Sequence, residues 1–276
     1  MSHGVSKGVN LICGDCLEVL PTLEEGSIDL VVTSPPYNLG IKYRSFEDTA
    51  SRGEFLAWCR EWAMLLKRVL ADDGSFFLNV GAAPANPLMP HQLLLELTAG
   101  EEPLFVLQNT FHWVKSISLE TRDGESVSAG HFKPINSKRF VNDCHEYVFH
   151  LTKSGKVSLD RKAAGVPYVH KSNIKRWGHT DGEDLRCRGN TWFIPYDTIR
   201  SRDEQRPHPA TFPPALAERC ARLHGKGPAT HMLDPFLGIG SSAMAAQSMG
   251  IEQFTGIEID ARYLEVAKER LAAGKA

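Results

Sequence analysis

The stretch from 229 to 260 restricts the fold more than any other part of the sequence. It opens with an apolar segment that ends at Asp234 and continues through the turn Pro235-Phe236-Leu237-Gly238-Ile239-Gly240. A helix-like run and a second apolar segment ending at Glu258 follow. Strand, glycine-rich turn, helix and strand in this order predict a βαβ unit, which is the building block of parallel sheets. The sequence therefore predicts an α/β protein.

The same unit indicates what kind of ligand the turn can accept. Glu258 follows the turn at close to the spacing, about 20 residues, at which an acidic residue meets a ribose in nucleotide-binding folds. The turn has one Gly-x-Gly without the third glycine of the dinucleotide motif, and it has no Lys-Ser/Thr of a phosphate-binding loop. A nucleoside-like cofactor without a pyrophosphate fits better than NAD or ATP. The alternative is an ordinary turn.

A second motif, Ser34-Pro35-Pro36-Tyr37, follows the β-branched run of residues 28–33. A buried strand that breaks at two prolines places a hydroxyl, free carbonyls and an aromatic ring at the carboxyl edge of a sheet. Open α/β sheets bind their ligands at that edge. Oxygen acceptors beside a ring suit a planar base that carries an amino group. The alternative is a Pro-Pro turn with a core tyrosine.

Together these segments resemble the DNA methyltransferases that methylate exocyclic amino groups, and their order resembles the permuted group called the β class. Four further stretches match the family in the expected order: 13–17, with Asp15, then 74–78, 142–148 and 208–213. The resemblance implies a Rossmann-like fold with a mostly parallel twisted sheet and S-adenosylmethionine (AdoMet) as cofactor. It also implies double-stranded DNA as partner, and it leaves open a homodimer and a cognate restriction endonuclease.

The resemblance carries specific roles to residues of this chain. The catalytic residues it implies are Ser34, Pro35, Pro36 and Tyr37. The cofactor-binding residues it implies are Asp15, His208, Pro213, Asp234, Phe236, Gly238, Gly240, Ser241 and Glu258. Asp234 would face the methionine amino group, Glu258 the ribose and Asp15 the adenine, although Asp15 also suits a helix cap.

The identity of the methylated base depends on Ser34. In the family, Ser at this position usually accompanies N4-cytosine methylation, and Asp or Asn accompanies N6-adenine methylation. We therefore expect N4-cytosine, with N6-adenine as the alternative. Two further alternatives are a catalytically silent AdoMet-fold protein that binds DNA and an RNA methyltransferase. Methylation of a protein amide predicts Asn in place of Ser34, and C5-cytosine methylation predicts a Pro-Cys motif that the sequence lacks.

Composition places the chain among soluble globular proteins, with 42% hydrophobic and 23% charged residues. No apolar run approaches the roughly 20 residues that span a bilayer, and the first ten residues have no hydrophobic secretory core. We expect a cytoplasmic protein without a membrane partner. The six cysteines include Cys13-x-x-Cys16, but no second pair stands at zinc-site spacing, so we expect free thiols and no metal.

The distribution of charge indicates where DNA binds. Residues 131–188 contain 12 Lys and Arg against 6 Asp and Glu, although the whole chain has a net charge of −2. A basic segment in an acidic frame is typical of a phosphate-binding face. We therefore divide one methyltransferase domain into a catalytic part (1–151), a target-recognition insert (152–206) and an AdoMet-binding part (207–276). Lys171, Lys175 and Arg176 are the expected DNA contacts, and a solvated turn is the alternative.

Periodicity predicts the remaining elements. We expect helices over 52–70, 91–97 and 214–224, and strands over 75–80, 104–115 and 140–151. The Ser- and Gly-rich stretch 116–134 is predicted to be a long loop. The apolar stripe of the first helix, which includes Trp58, Trp62 and Leu66, is expected to belong to the core.

Overall fold

The computed structural model describes residues 8–38, 40, 49–84, 86–121, 123–130, 136–177, 180, 182–195 and 211–274. Ten strands are found in these ranges, and eight of them form one sheet. The strands are β1 (Gly8–Cys13), β2 (Ile28–Thr33), β3 (Leu70–Val80), β4 (Val106–Val114), β5 (Ser116–Glu120), β6 (Ser126–Gly130), β7 (His145–Thr152), β8 (Thr191–Phe193), β9 (His231–Asp234) and β10 (Gln253–Glu258).

The main sheet has the strand order β1-β10-β9-β2-β3-β7-β4-β8. Neighbouring strands of this sheet run parallel, except that β7 runs antiparallel to both of its neighbours, β3 and β4. The sheet is therefore mostly parallel, as predicted. Strands β5 and β6 form a separate antiparallel hairpin.

Seven α-helices are described: α1 (Cys16–Val19), α2 (Arg52–Val69), α3 (Met89–Thr98), α4 (Ser172–Arg176), α5 (Pro214–His224), α6 (Ser241–Ser248) and α7 (Ala261–Ala273). Most buried apolar side chains of α1, α2 and α3 belong to one hydrophobic cluster, and most of those of α5, α6 and α7 belong to a second. Neighbouring β2 residues alternate between the clusters, with Val31 in the first and Leu30 and Val32 in the second. The clusters therefore lie on opposite faces of the sheet, which gives a three-layer α/β/α architecture.

The topology fixes where a ligand site can form. The chain leaves β2 through α2 on one face and continues to β3, and it leaves the adjacent strand β9 through α6 on the other face and continues to β10. The strand order thus reverses between β2 and β9. Ligands of open α/β sheets bind at such a switch point, outside the carboxyl ends of the strands.

Helix α2 shows how local sequence sets the frame of this site. Ser51 accepts a hydrogen bond from the backbone N–H of Glu54, and the Glu54 carboxylate accepts one from the Ser51 backbone, which forms a capping box. Trp62 and Leu66 are fully buried below the helix, as expected for a core stripe. Helix α2 is thereby fixed directly beside the loop that follows β2.

Two predictions about the middle of the chain differ from the structure. The stretch predicted to be a loop forms the β5–β6 hairpin, whose apolar side chains Leu119 and Val127 are more than half exposed. Strand β8 lies inside the predicted insert, yet it pairs with β4 at the edge of the main sheet. Trp192 of β8 is 1% exposed, so this part of the insert is joined to the core of the frame.

Candidate active site

A cleft opens at the switch point, along the carboxyl ends of β1, β2, β9 and β10. Its walls come from the turns that follow these strands, one side chain of α2, a segment before α5 and the start of α7. The lining residues are 14–16, 34–37, Trp58, 211–212, 235–238 with Ser241, and 257–260 with Tyr263. The sequence motifs at 34–37 and 235–238 therefore meet in one cavity although they are far apart in the chain.

Asp234 lies beneath the cleft and not in its wall, which differs from the expectation that it faces a ligand. Its carboxylate accepts hydrogen bonds from Thr33 Oγ1 at 2.5 Å, from the Phe236 backbone N–H at 3.0 Å and from the Ser242 hydroxyl. Burial raises the pKa of Asp234 to about 6, and the hydrogen bonds from the three donors act in the opposite direction. A buried carboxylate with this set of donors ties the end of β2 to the turn after β9.

Glu258 connects the two turns on the cofactor side. Its Oε2 accepts a hydrogen bond from the Gly238 backbone N–H at 2.7 Å, and Oε1 accepts one from the Asp260 backbone N–H at 2.9 Å. The side chain lines the cleft and is 8% exposed. Burial raises its pKa, and the two N–H donors act in the opposite direction. A carboxylate oxygen has further lone pairs, so Glu258 can still accept from a hydroxyl-bearing ligand.

Asp15 both caps a helix and lines the cleft. Its carboxylate accepts a hydrogen bond from the Leu17 backbone N–H at 2.9 Å at the start of α1. The neighbouring Cys16 also lines the cleft, and burial together with the charge of Asp15 raises the pKa of its thiol. Burial and the charge of Asp15 therefore disfavour the thiolate nucleophile that C5-cytosine methylation requires.

An aromatic wall was not foreseen at this position. Trp58 was expected to be part of the core, but it lines the cleft and packs against Phe236 with ring centroids 5.6 Å apart. Phe236 also meets Trp62 edge-on at 5.4 Å. Trp58 lies one turn before the buried Trp62, where the helix passes the open end of the sheet. Large apolar faces beside carboxylates suit a flat ring with polar edges.

The loop after β2 places its hydroxyl groups in contact. Ser34 Oγ lies 2.5 Å from Tyr37 Oη, and both residues line the cleft together with Pro35 and Pro36. The Tyr37 side chain is 9% exposed, and its hydroxyl points toward the sheet. The four predicted catalytic residues are thus brought together on one wall.

Behind this wall lies a polar network whose side chains were not among the predicted site residues, apart from Tyr37. Asn79 Nδ2 lies 2.7 Å from Tyr37 Oη and 2.6 Å from Glu146 Oε2, and Tyr37 Oη lies 3.2 Å from the same Glu146 oxygen. Lys115 Nζ forms an ion pair with Glu146 Oε1 at 3.0 Å. The pairing of β3 with β7 places Asn79 and Glu146 beside one another, and only the register of the strands reveals this.

Pro213 and Gly240, like Asp234, do not line the cleft. Pro213 is the N-cap of α5, and its neighbours Thr211 and Phe212 line the cleft instead. Gly240 has φ +83°, and a Cβ there would lie 2.9 Å from Ala267 Cβ of α7, so its small size serves helix packing. His208 lies outside the described residues.

The predicted DNA contacts lie on and beside α4. Lys175 and Arg176 are exposed, and Lys171 is paired with Asp184. Tyr168 and Trp177 meet edge-on nearby, with centroids 6.1 Å apart. Lys175 and Arg176 are therefore better placed than Lys171 to meet a phosphate.

Among the residues with described positions, no group of three or more His, Cys, Asp and Glu side chains is arranged to hold a metal ion. Within the same ranges, no helix has the length and the apolar composition to cross a bilayer.

Comparison with solved structures supports the predicted fold. The chain superposes with a TM-score of 0.71 on the PvuII DNA methyltransferase (cytosine-N4-specific), at 21% identity and with 96% of this chain and 87% of the other covered. It matches a putative DNA modification methylase from Thermus thermophilus, TTHA0409, solved with S-adenosyl-L-methionine, with a TM-score of 0.62, 24% identity and coverage of 97% and 96%. The Rossmann-like methyltransferase fold is confirmed.

Sequence comparison identifies the family. Residues 28–269 match the DNA methylase family N6_N4_Mtase. The type II methyltransferase M.ScaI of Streptomyces caespitosus is 30% identical over 276 residues, which covers 96% of this chain and 82% of M.ScaI. The DNA adenine methyltransferase YhdJ of Escherichia coli K12 is 27% identical over 271 residues, with coverage of 95% and 82%. The chain therefore belongs to the N4/N6 family of DNA methyltransferases.

Proposed function

We propose that this methyltransferase transfers a methyl group from AdoMet to the exocyclic N4 amino group of cytosine in duplex DNA. The observation that carries the proposal is Ser34: the first position of the Ser-Pro-Pro-Tyr loop holds a hydroxyl and no carboxylate or amide. The cytosine-N4 specificity named for the PvuII enzyme agrees with this choice. N6-adenine is the second candidate, because YhdJ is named an adenine methyltransferase.

The residues of the cleft fit AdoMet better than a phosphorylated nucleotide. The described lining contains Asp15, Glu258 and Asp260 but neither Lys nor Arg, so it suits a ligand with a positive sulfonium and amino group. The family is AdoMet-dependent. When bound, AdoMet supplies a methyl group on a sulfonium. Glu258 would accept from the ribose hydroxyls, Asp15 would accept from the adenine amino group, and Trp58 and Phe236 would pack on the flat ring.

Ser34, Pro35 and Tyr37 would hold the target base. The amino nitrogen is a weak nucleophile because its lone pair is delocalised into the ring, and acceptors that draw its protons out of the ring plane make the lone pair more available. We infer that the Ser34 hydroxyl and the Pro35 carbonyl accept these protons and that the Tyr37 ring stacks on the base. The base must leave the duplex to reach them, at a cost of a few kcal/mol. Rate enhancement then comes from positioning.

Product analysis decides which base is methylated. DNA treated with the enzyme and AdoMet is digested to nucleosides and analysed by mass spectrometry, with duplex RNA of the same sequence as the competing substrate. We expect N4-methylcytosine in DNA and no methylation of RNA. N6-methyladenine as the product would overturn the choice of base, and absence of any methyl transfer to nucleic acid would leave a silent binding protein.

We infer that the basic segment around α4 holds the DNA backbone. Lys175→Gln/Arg176→Gln is expected to weaken DNA binding and to lower the log–log salt slope by about 0.9 for each lost phosphate contact. AdoMet affinity should not change, because the cleft residues lie on other elements. The measurement is DNA affinity by fluorescence anisotropy at several salt concentrations, with Lys67→Gln/Lys268→Gln as a control of equal charge. A slope equal to that of the wild type would place the phosphates elsewhere.

The type II names of the relatives support a further proposal, that a restriction endonuclease with the same target accompanies this enzyme. Sequencing of modified DNA gives the target, and cleavage assays on unmodified DNA then test cell extracts for such an endonuclease. The homodimer that the family resemblance leaves open is tested by sedimentation of the purified protein.

A further inference from the structure

A continuous path of polar contacts leads from the cleft wall into the sheet. Ser34 Oγ and Tyr37 Oη are 2.5 Å apart, and Tyr37 Oη is 3.2 Å from Glu146 Oε2. Asn79, which is 2% exposed, lies beside both Tyr37 and Glu146. The described cleft lining includes Ser34 and Tyr37 but neither Asn79 nor Glu146. The path therefore connects a group that faces the base to a carboxylate that does not.

The direction of each hydrogen bond in this path follows from the donors available. The Asn79 amide has two hydrogens, and its nitrogen lies 2.7 Å from Tyr37 Oη and 2.6 Å from Glu146 Oε2. An ionised carboxylate only accepts, so one amide hydrogen points to Glu146 and the other to a lone pair of Tyr37. Two acceptors are available to the Tyr37 hydroxyl hydrogen on the side away from the cleft. They are Glu146 Oε2 and the backbone carbonyl oxygen of Asn79, which lies 3.1 Å from Tyr37 Oη. The negative charge favours Glu146.

The remaining lone pair of Tyr37 then faces Ser34. Because a hydroxyl has one hydrogen and two lone pairs, the Ser34 hydrogen is directed to Tyr37. Both lone pairs of Ser34 are left for the cleft. Ser34 is thereby an acceptor, which is what an amino group requires, and not a donor that would repel it.

We propose that Glu146 is the positioning residue that makes Ser34 an acceptor for the target amino group, and that it takes up the proton released by methylation. The proposal rests on the proposed function only in requiring that an exocyclic amino group is methylated. It applies equally to cytosine and to adenine. It assigns to β7 a function that the loop motif alone does not contain.

The proton transfer balances along the same path. Methylation forms an N–C bond while the S–CH3 bond of AdoMet breaks and its electron pair stays on sulfur, and it leaves the nitrogen with one proton more than the neutral product. This proton passes to Ser34 Oγ, the Ser34 hydrogen passes to Tyr37 Oη, and the Tyr37 hydrogen passes to Glu146 Oε2. Each hydroxyl is restored, and Glu146 ends as a neutral carboxylic acid that returns its proton to solvent before the next cycle.

The surroundings of Glu146 suit this function. The titratable groups that the described contacts place against it are Tyr37, from the loop after β2, and Lys115, from the end of β4, whose Nζ lies 3.0 Å from Oε1. The side chains of Glu146 and Lys115 are 15% and 24% exposed. Both side chains of the ion pair are therefore partly open to solvent, which provides an exit for the proton.

The test is Glu146→Gln. The side-chain amide of the new glutamine can donate a hydrogen bond to Tyr37 Oη. The Tyr37 hydroxyl then donates to Ser34, and the Ser34 hydroxyl points its hydrogen at the substrate amino group instead of accepting from it. We expect the single-turnover rate of methyl transfer, measured with AdoMet and DNA saturating, to fall on the order of 100-fold, while the Kd for AdoMet and for DNA change by less than about threefold. Glu101→Gln, on an exposed bend, is the matched control and should keep the wild-type rate.

A double-mutant cycle separates positioning from a purely structural role. Tyr37→Phe removes the hydroxyl that connects Glu146 to Ser34, so adding Glu146→Gln in that background should change the rate by less than about threefold. An equal loss in both backgrounds, or a Glu146→Gln rate near that of the wild type, would overturn the proposal. The product of the wild-type enzyme, read by mass spectrometry, reports separately on the choice of base.

A second variant covers the case in which Glu146→Gln does not fold. Tyr37→Phe keeps the ring and removes the hydroxyl that connects Glu146 to Ser34, so its single-turnover rate should also fall on the order of 100-fold. A Tyr37→Phe rate near that of the wild type would contradict the proposal.

Discussion

Tyr37→Ala is expected to slow methyl transfer by roughly a thousandfold while AdoMet affinity stays within about threefold of the wild type. Two losses combine. Stacking of an aromatic ring on a base contributes on the order of 1–3 kcal/mol, and the loss of oriented proton transfer through Ser34 removes about another hundredfold. The proposed cofactor groups lie on other turns of the cleft, after β1, β9 and β10, so they keep their positions.

Single-turnover transfer and calorimetric titration of AdoMet measure the two quantities for Tyr37→Ala. Tyr37→Phe is the matched control, because it keeps the ring and loses only the hydroxyl bonded to Ser34, Asn79 and Glu146. It should fall between wild type and Tyr37→Ala in rate. Loss of AdoMet binding in Tyr37→Ala would show that the ring belongs to the cofactor pocket and not to the base pocket.

Glu258→Ala is expected to have the opposite profile, with AdoMet affinity reduced and DNA affinity nearly unchanged. Hydrogen bonds to a charged group contribute about 1.5–3 kcal/mol, which corresponds to about tenfold to over a hundredfold in Kd. The effect is expected to be large because Glu258 also accepts from the backbone of Gly238 and Asp260, so its removal loosens both turns.

The measurement for Glu258→Ala is calorimetric titration of AdoMet, together with the thermal midpoint of the apoprotein. Glu265→Ala, an exposed carboxylate of α7 paired with Lys268, serves as the control and should bind AdoMet as the wild type does. If AdoMet affinity were unchanged in Glu258→Ala while the midpoint fell, Glu258 would only be a structural link between the turns.

The sequence predicted those parts of the site that are contiguous in the chain. The βαβ unit appears at its expected place, as β9, α6 and β10, because a glycine-rich turn between apolar runs leaves few other conformations. The Ser34–Tyr37 loop likewise lines the cleft. Helix α5 has the predicted bounds, Pro214–His224, since proline starts it and Gly225 at φ +81° ends it.

What the sequence did not predict depends on contacts between distant segments. Asp234 was expected to face a ligand, but pairing of β2 with β9 brings Thr33 to it and buries the carboxylate. Glu146 could not be distinguished from an ordinary strand glutamate until strand register placed it beside Asn79 and Tyr37. The β5–β6 hairpin was missed because its Ser-rich composition outweighed the apolar alternation of Ile117 with Leu119, although that period of two is typical of a strand.

The strand order has a consequence for synthesis of the protein. Strands β1 and β2 are made early, yet β10 and β9 lie between them in the finished sheet. Thr33 and Asp234, which join β2 to β9, are 201 residues apart in the chain. Ribosomes add about 5–20 residues per second, so β9 is synthesised roughly 10–40 s after β2. During that interval the edge of β2 that pairs with β9 is open to other chains. The cleft is complete only when Glu258, which lines it, has emerged, so we expect no methyl transfer by an unfinished chain.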